Sequence, residues 1–481
     1  MCHVDKKVNK ESHKTVSVPL LDFASATLWT TGGLRILPRM DFAQLLVPRF
    51  ADNRITKGRS EFERDQDRII FSTAFRRLND KTQVFPVPES YFVHNRMTHS
   101  LETSAVGRSL GSIVGERVLE GREGWGGEES RQLGDLVRAA CLAHDIGNPP
   151  FGHSGEDAIS AFFRLRPDIL SGLSALEAEE FRRFEGNAQG LRVISRISPD
   201  LRLTANTIAA FTKYPRSALV DSWSEPVHAA RRDMKKYGSF ASEQAVLEGI
   251  LEKFGSRRLA PPPDFAMSRF PFAWLTEAAD DICYLIIDLE DAVRLRIVRL
   301  AEVEPLLHSI ASANPEGLTI DARHAGQDDN QRMAFLRAKA INSLVFQCAE
   351  EFGDHVYAIA EGAYGGSLAT GIPSAGALEA IRTLSLERIY RDRPVLEIEV
   401  AGFEVLGGLL DIFTSVALES EAARGVRSAT ILDILPAIAP LPGDTRYDIL
   451  RRVVDYAAGM TDSYALSLYR KLKGMSLPRL Y

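Results

Sequence analysis

Cysteine is scarce in this chain, and the few that occur do not form a motif. The four cysteines, Cys2, Cys141, Cys283 and Cys348, are far apart and none belongs to a CxxC pair. This spacing is typical of reduced thiols in a cytoplasm and argues against a disulfide framework or a zinc-thiolate site. We therefore interpret the cysteines as packing residues and expect a cytoplasmic protein.

The chain also lacks an excess of positive charge. Its 58 lysines and arginines are outnumbered by 64 aspartates and glutamates, which gives a formal net charge of -6. This balance argues against a protein coated in basic surface for nucleic acid, although a local basic patch would not show in the total. A polyanionic substrate would need its own cluster of arginine, lysine or metal ion.

Long apolar runs are missing as well. None reaches the roughly 18 residues needed to span a bilayer, so we expect no membrane partner. A semi-apolar stretch from Val16 to Trp29 follows a lysine-rich start, but Asp22 interrupts it, and we interpret it as part of an ordinary N-terminal extension. At 481 residues and 45% hydrophobic composition, the chain is long and apolar enough to bury a large core.

The apolar residues that are present follow a helical period. From Ser60 onward they recur at spacings of three and four, as in residues 61–78, 99–119 and 133–143. Alternating stretches are short and predict no more than a small β-ribbon near residues 84–93 and another near 395–400. We therefore predict an all-α helical bundle with additional C-terminal helices and room for a short β-ribbon.

Composition divides the chain into three regions. Residues 1–48 are rich in lysine, serine and threonine and are predicted to be an N-terminal arm. Residues 49–300 form the predicted core, in which the more polar segment 222–264 is an excursion. Residues 301–481 continue as helices without a recognisable chemical motif, and we predict a scaffold or an oligomer interface there.

Potential metal ligands occur in three separated segments. His99 follows His94-Asn95-Arg96-Met97-Thr98, His144 and Asp145 end an apolar helix, and Asp280 and Asp281 interrupt a third predicted helix. Two histidines and two carboxylates with open coordination positions suit a hydrolytic divalent ion better than a closed structural zinc site. A lone His-Asp pair would be weak support, because such pairs occur by chance.

A longer ordered motif strengthens this interpretation. Residues 144–156 read HDIGNPPFGHSGE, and further blocks follow a fixed order around them: SEFERD at 60–65, KTQVFP at 81–86, EGNAQ at 185–189, TKYP at 212–215 and residues 277–292. This series resembles the HD phosphohydrolases and, more narrowly, the deoxyguanosine triphosphate triphosphohydrolase family. The resemblance covers roughly residues 50–295 and implies an all-α HD-domain fold, a divalent metal ion, and cleavage of a deoxynucleoside triphosphate at the α-phosphorus.

The resemblance also assigns the metal ligands. They would be His99, His144, Asp145 and Asp280, holding Mg²⁺ or Mn²⁺. Asp280 is preferred over Asp281 because Asp280, Tyr284 and Asp288 recur every four residues and so share one helix face. The alternative for Asp281 and Asp288 is that they are solvated charges.

His153 and Glu156 are predicted to act beside the metal ligands. A loop histidine followed three residues later by a glutamate allows the carboxylate to orient and charge the imidazole. The alternative is that Glu156 only stabilises the N-terminus of the following helix, and the two roles are compatible. Whether His153 accepts or donates a proton stays open at this point.

A triphosphate requires cationic groups around it. We expect Arg96 and Lys213 to supply them, with Tyr214, Asn148 and Asn187 as polar contacts. The pair Lys235 and Lys236 is interpreted as solvated. The resemblance nominates three residues for the sugar, and an aromatic ring placed where a 2′-hydroxyl would lie is a physical way to prefer deoxyribose; these residues are Gln83, Tyr284 and Asp288.

Two other functions fit parts of the same pattern. An HD phosphodiesterase or nucleotidase would share the metal ligands and differ only in the groups around Arg96 and Lys213. A nucleotide-sensing or single-stranded nucleic-acid-binding regulator would not need both metal ligands and an acid/base pair. The resemblance further suggests a homo-oligomer, with nucleotide or single-stranded DNA as an effector.

Overall fold

The computed structural model describes residues 40–48, 59–85, 93–198, 201–220, 231–317 and 328–476. This part of the chain contains helices and no strand; extended backbone pairs only through isolated bridges, such as the one between Thr82 and Asn95. The predicted all-α fold is therefore confirmed.

The helices fall into two sets along the chain. The first set is α1 (Glu61–Phe71), α2 (Thr73–Arg76), α3 (Arg96–Val114), α4 (Gly127–Ala143), α5 (Gly152–Leu165), α6 (Ala175–Arg182), α7 (Gly186–Arg192), α8 (Ala205–Phe211), α9 (Gln244–Lys253) and α10 (Ala273–Arg294). The second set is α11 (Leu300–Ser312), α12 (Asp329–Asp354), α13 (Val356–Ala360), α14 (Ala375–Leu384), α15 (Arg393–Leu418), α16 (Val426–Ile434), α17 (Arg446–Ala458) and α18 (Asp462–Leu472). Short 3₁₀ and π turns join them, including Arg77–Asp80 and Val193–Ile197.

The larger core surrounds α3, α4 and α10, which pack against one another. The helix α10 is buried along almost its whole length, and fully buried side chains such as Trp274, Leu275 and Ile286 anchor it. The buried leucines Leu45 and Leu46, near the end of the predicted arm, belong to the same core. Burial of this apolar surface stabilises the three helices that carry the predicted metal ligands.

Local capping determines where α3 begins. The side chain of Asn95 accepts a hydrogen bond from the Thr98 amide at 2.9 Å, and the Thr98 hydroxyl oxygen accepts one from the Asn95 amide at 3.0 Å. These bonds satisfy amide groups that the first turn of a helix leaves free. The helix therefore starts at Arg96, one turn before His99.

A second core is centred on α15, which packs against α5, α17 and α18. By length and composition α15 is apolar enough to cross a membrane, with a mean hydropathy of 1.6, and 56% of that stretch is buried inside the protein. Every 18-residue window of α15 includes Glu404, so the stretch is not an uninterrupted apolar run. Leu406, Leu409 and Phe413 of α15 belong to the second core, whereas Val395 near its start belongs to the larger core.

Three local predictions need correction or restriction. The ribbon predicted at 395–400 is wrong, because these residues lie in the first turns of α15. Of the ribbon predicted at 84–93, residues 86–92 lie outside the described part, and Val84, Phe85 and Val93 are bends. The predicted excursion 222–264 contains α9, while residues 222–230 are outside the described part. The proposed region boundaries remain predictions.

Candidate active site

Three helices bring two histidines and one aspartate together. The Nε2 atom of His99, on α3, lies 3.1 Å from Oδ1 of Asp280 on α10. The Nε2 atom of His144, which directly follows α4, lies 3.3 Å from the same oxygen. The potential ligand atoms of these three residues all lie within 4.8 Å of one another, so the group could hold a metal ion.

The surroundings of His144 fit a metal ligand. Its Nδ1 donates to the carbonyl oxygen of Cys141 at 2.6 Å, which fixes the ring orientation, whereas Nε2 is buried and has no hydrogen-bond partner. A buried polar atom without a partner is costly unless something else binds it. Asp145 places Oδ1 3.5 Å from this nitrogen, so a fourth predicted ligand lies beside the group.

Neighbouring cations keep both carboxylates charged. Burial would raise the pKa of Asp280, but the positive charge of Lys213, together with the neighbouring imidazole groups of His144 and His99, outweighs burial and holds the pKa well below its usual range. Lys213 Nζ lies 2.5 Å from Asp280 Oδ2. For Asp145, burial is likewise outweighed, chiefly by Arg96, whose Nη1 donates to Oδ2 at 2.9 Å, and the pKa is lowered. Ionised carboxylates are the form that binds a divalent cation.

The adjacent Asp281 has a different environment. Its carboxylate accepts two hydrogen bonds from Arg232 Nη2, at 2.8 and 2.6 Å. Burial raises the pKa of Asp281 to about 6 although Arg232 opposes this. Asp281 is not part of the three-residue group, in keeping with the choice of Asp280 on helix periodicity.

His153 and Glu156 are the second and fifth residues of α5. His153 Nδ1 is 2.9 Å from Glu156 Oε2, and the other carboxylate oxygen accepts a hydrogen bond from the Gly186 amide at 2.7 Å. Burial alone would raise the pKa of Glu156, but the bond with His153 and the charge of Lys236 lower it to about 2. The imidazole is largely exposed, so its Nε2 is accessible to a ligand while Nδ1 is held.

These groups line one cavity of about 500 Å³. All the predicted metal and catalytic residues are on its wall, and so are most of the predicted substrate contacts, namely Gln83, Arg96, Asn148, Asn187, Lys213, Tyr214 and Tyr284. Gln83 Oε1 and Arg96 Nε are buried without a hydrogen-bond partner. The cavity therefore offers polar atoms that a polar ligand could satisfy.

Asp288 is the predicted contact that does not line the cavity. It is 2% exposed, and its Oδ2 accepts a hydrogen bond from the Tyr390 hydroxyl at 2.9 Å. Burial raises the pKa of Asp288 to about 8. Tyr390 itself lines the cavity, and its ring stacks on Tyr284 with centroids 5.9 Å apart. Asp288 therefore contacts a residue of the cavity wall, Tyr390, and is not itself part of that wall.

Sequence analysis missed several lining residues. The interpretation of Lys236 as solvated is wrong: its Nζ lies 3.2 Å from Glu185 Oε1 and 4.0 Å from Glu156 Oε2, and it lines the cavity. Lys235 is exposed, as expected. Residues of the C-terminal region also line the cavity, and no local motif marks them; they are Leu386, Tyr390, Val395, Ile398 and Glu399.

Two parts of the chain match known protein-family models. The HD domain model matches residues 96–214, and the phosphohydrolase-associated domain model matches residues 373–471. The chain is thus an HD-domain phosphohydrolase. A deoxyguanosinetriphosphate triphosphohydrolase-like protein of Synechocystis is 40% identical over 87% of this chain and 95% of its own length. A protein of that name from Pseudomonas aeruginosa is 39% identical, over 88% and 95%.

A third relative carries the shorter name. The deoxyguanosinetriphosphate triphosphohydrolase of Salmonella paratyphi A is 33% identical over 85% of this chain and 93% of its own length. This protein belongs to the deoxyguanosinetriphosphate triphosphohydrolase family. The resemblance seen in residues 50–295 is confirmed, and the similarity extends well into the C-terminal region.

Proposed function

We propose that this protein hydrolyses deoxynucleoside triphosphates, dGTP or a broader set, at the ester bond of the α-phosphorus, releasing the deoxynucleoside and intact triphosphate. The names of its relatives support the substrate class. The observation that carries the proposal is that the metal-ligand group and the His153–Glu156 pair share one cavity with Arg96 and Lys213.

The residues present fit a divalent cation such as Mg²⁺ or Mn²⁺. His99, His144, Asp145 and Asp280 would hold it, since two imidazoles and two ionised carboxylates with open positions suit a hydrolytic ion. When bound, such an ion polarises a phosphoryl oxygen and lowers the pKa of a water molecule. The unpartnered Nε2 of His144 supports this assignment.

The cationic side chains of the cavity would bind the triphosphate. Arg96 and Lys213 each hold a ligand carboxylate and present further N–H donors, and Lys236 lies beside Glu156. These charges would stabilise the negative charge that develops on the phosphate and leaving oxygen. Tyr214, Asn148 and Asn187 add polar contacts on the same wall.

His153 would transfer the proton. Glu156 holds Nδ1, so proton exchange takes place at Nε2, with the attacking water or with the leaving 5′-oxygen. The ionised carboxylate of Glu156 stabilises the imidazolium form of this residue. Whether His153 accepts or donates the proton, it acts together with Glu156, and both line the same cavity as the predicted metal ligands.

The stacked tyrosines would select the sugar. Tyr284 lies one helical turn beyond Asp280, so a sugar next to the bound phosphate lies against its ring. Tyr390, held by Asp288, extends this aromatic wall, and Gln83 contributes a free carbonyl oxygen. A 2′-hydroxyl against these rings would lose its water without gaining a partner, which favours deoxyribose.

The deciding experiment incubates the protein with each deoxynucleoside triphosphate plus Mg²⁺ or Mn²⁺ and separates the products by chromatography. We expect deoxynucleoside and intact triphosphate in equimolar amounts. Deoxynucleoside diphosphate with orthophosphate would contradict cleavage at the α-phosphorus. Cleavage of cyclic nucleotides or monophosphates instead would favour a phosphodiesterase or nucleotidase, and tight binding without any cleavage would favour a nucleotide sensor.

A further inference from the structure

The last described helix, α18, begins close to residues 81–82 and 148–153, which are the catalytic segments. The first residue of α18 does not line the cavity. Asp462, the first residue of α18, accepts three hydrogen bonds from two distant parts of the chain. Its Oδ2 accepts from the Thr82 amide at 2.9 Å and from the Thr82 hydroxyl at 2.6 Å, and its Oδ1 accepts from the Phe151 amide at 2.8 Å. One carboxylate thus joins segments that lie 311 and 380 residues away in sequence.

Both segments lead directly into the site. Thr82 precedes Gln83, and Phe151 is separated from His153 only by Gly152. Phe151 has φ 63° and ψ 16°, a left-handed conformation that side chains rarely adopt, and Gly152 follows with φ 61°. A Cβ at Gly152 would lie 2.7 Å from Arg96 Nη2. A strained backbone persists only where surrounding contacts hold it, and the carboxylate of Asp462 is such a contact.

A second bridge runs alongside the first. Lys81 is 2% exposed, and its Nζ donates to the carbonyl oxygen of Asn148 and, at 2.9 Å, to that of Ala458 at the end of α17. Lys81 therefore connects the turn that contains Asn148 with the C-terminal end of α17, next to the contact of Thr82 with Asp462. Lys81 and Asp462 thus make separate polar contacts between the catalytic segments and the C-terminal region.

We propose that Asp462 is a positioning residue for the catalytic segments: it holds the strained turn at Phe151, and thereby His153, while fixing Thr82, and thereby Gln83. Its hydrogen bonds reach Thr82 and Phe151, and it is not among the residues that line the cavity. The assignment rests on the proposed function, in which His153 transfers the proton and Gln83 contacts the sugar. The phosphohydrolase-associated domain would then supply a group that the HD domain needs for an ordered site.

A purely structural role is the competing explanation, because an acidic residue in the first turn also stabilises its helix. Thr461 provides the matched control. Its side chain accepts from the Tyr464 amide at 3.3 Å and caps the same helix, but it makes no hydrogen bond to Thr82 or Phe151. Thr461→Ala removes the side-chain cap of α18. Asp462→Ala removes an acidic residue from the first turn of α18 and also the hydrogen bonds to Thr82 and Phe151.

The experiment compares the full chain with the variants Asp462→Ala, Asp462→Asn and Thr461→Ala. Steady-state hydrolysis of the preferred deoxynucleoside triphosphate, bound manganese and thermal unfolding are measured for each. Because a small displacement of a catalytic group is costly, we expect Asp462→Ala to lower kcat roughly tenfold to a hundredfold. Manganese content should be unchanged. Thr461→Ala should lower Tm and leave kcat within about twofold of the original.

Amide hydrogen exchange supplies a readout that does not depend on activity. Exchange at Phe151 and Thr82 should accelerate in Asp462→Ala and not in Thr461→Ala, since only the first variant removes their acceptor. Asparagine retains one carboxamide oxygen, so Asp462→Asn should protect one of the two amides and keep an intermediate kcat. This variant decides the matter if Asp462→Ala fails to fold.

The possible failures are distinguishable. If no deoxynucleoside triphosphate is cleaved by the original protein, the proposed function fails, while the exchange measurement still tests the positioning. If Asp462→Ala or a folded Asp462→Asn keeps full kcat and unchanged exchange at both amides, the positioning role is rejected. An equal loss of kcat in Thr461→Ala would reduce the effect to helix stability and would also reject it.

Discussion

Replacing Glu156 by glutamine tests the proton-transfer assignment most directly. The substitution preserves size and keeps one oxygen for the Gly186 amide, which is bonded at 2.7 Å. It replaces the oxygen that faces His153 Nδ1 at 2.9 Å with an NH₂ group. The imidazole then loses both its orienting acceptor and the negative charge that stabilises its protonated form.

The magnitude follows from the bond that is lost. A hydrogen bond to a charged group contributes about 1.5 to 3 kcal/mol. If this stabilisation is present in the transition state, kcat falls roughly tenfold to more than a hundredfold, since 1.4 kcal/mol corresponds to a factor of ten. KM should change little, because Arg96 and Lys213 are untouched and Lys236 keeps its closer partner, Glu185, at 3.2 Å.

The assay measures release of triphosphate and deoxynucleoside at saturating substrate, together with bound metal. Asp157→Asn is the matched control, because it removes one exposed negative charge next to Glu156 in α5, whereas the hydrogen-bond partner of His153 is Glu156. We expect the control to retain kcat within about twofold. A Glu156→Gln protein with unchanged kcat, or an equal loss in the control, would refute the reasoning.

Three further predictions follow from the structure. His144→Ala should lose bound metal and activity together while helix content is retained; stoichiometric metal in the variant would contradict the ligand assignment. Tyr284→Ala should narrow an expected deoxy-over-ribo preference of roughly tenfold to a hundredfold by admitting ribonucleotides; an unchanged ratio of kcat/KM for dGTP and GTP would contradict this role. Burial raises the pKa of Glu180 from 4.5 to about 7 despite the nearby Arg451. Because the folded state then retains a proton that the unfolded chain loses, stability should fall as pH rises through this window, by roughly 1.4 kcal/mol per pH unit at most. Urea unfolding should show this component in the original protein and not in Glu180→Gln.

Part of the site could be predicted from sequence because its residues lie in short, ordered motifs. His144, Asp145, His153 and Glu156 occur within thirteen consecutive residues. The helical period of α10 placed Asp280 on the same face as Tyr284, and the structure gives Asp280 and Asp281 different partners. Such local patterns can be recognised without knowledge of the fold, since helix geometry alone relates residues four apart.

The remaining residues could not be found in this way. Lys236 lies in a polar segment without a period, and only the folded chain brings it to Glu156. Tyr390 and Glu399 reach the cavity from the C-terminal region, where no chemical motif marks them. The alternating residues 395–400 suggested a strand, but they form the first turns of α15. Only Val395 among them is buried, in the larger core, and the long helix that continues to Leu418 overrides local β-propensity.

The sequence by itself determined the helical class and the family, because helix periodicity and ordered motifs are properties of neighbouring residues. The metal ligands stay a prediction that the family resemblance implies. Only the tertiary structure decided how distant segments meet. It placed Asp288 behind Tyr390 and brought Asp462 to the amide of Phe151 across 311 residues. Contacts of this kind depend on the packing of whole helices, and no local pattern encodes which buried faces will touch.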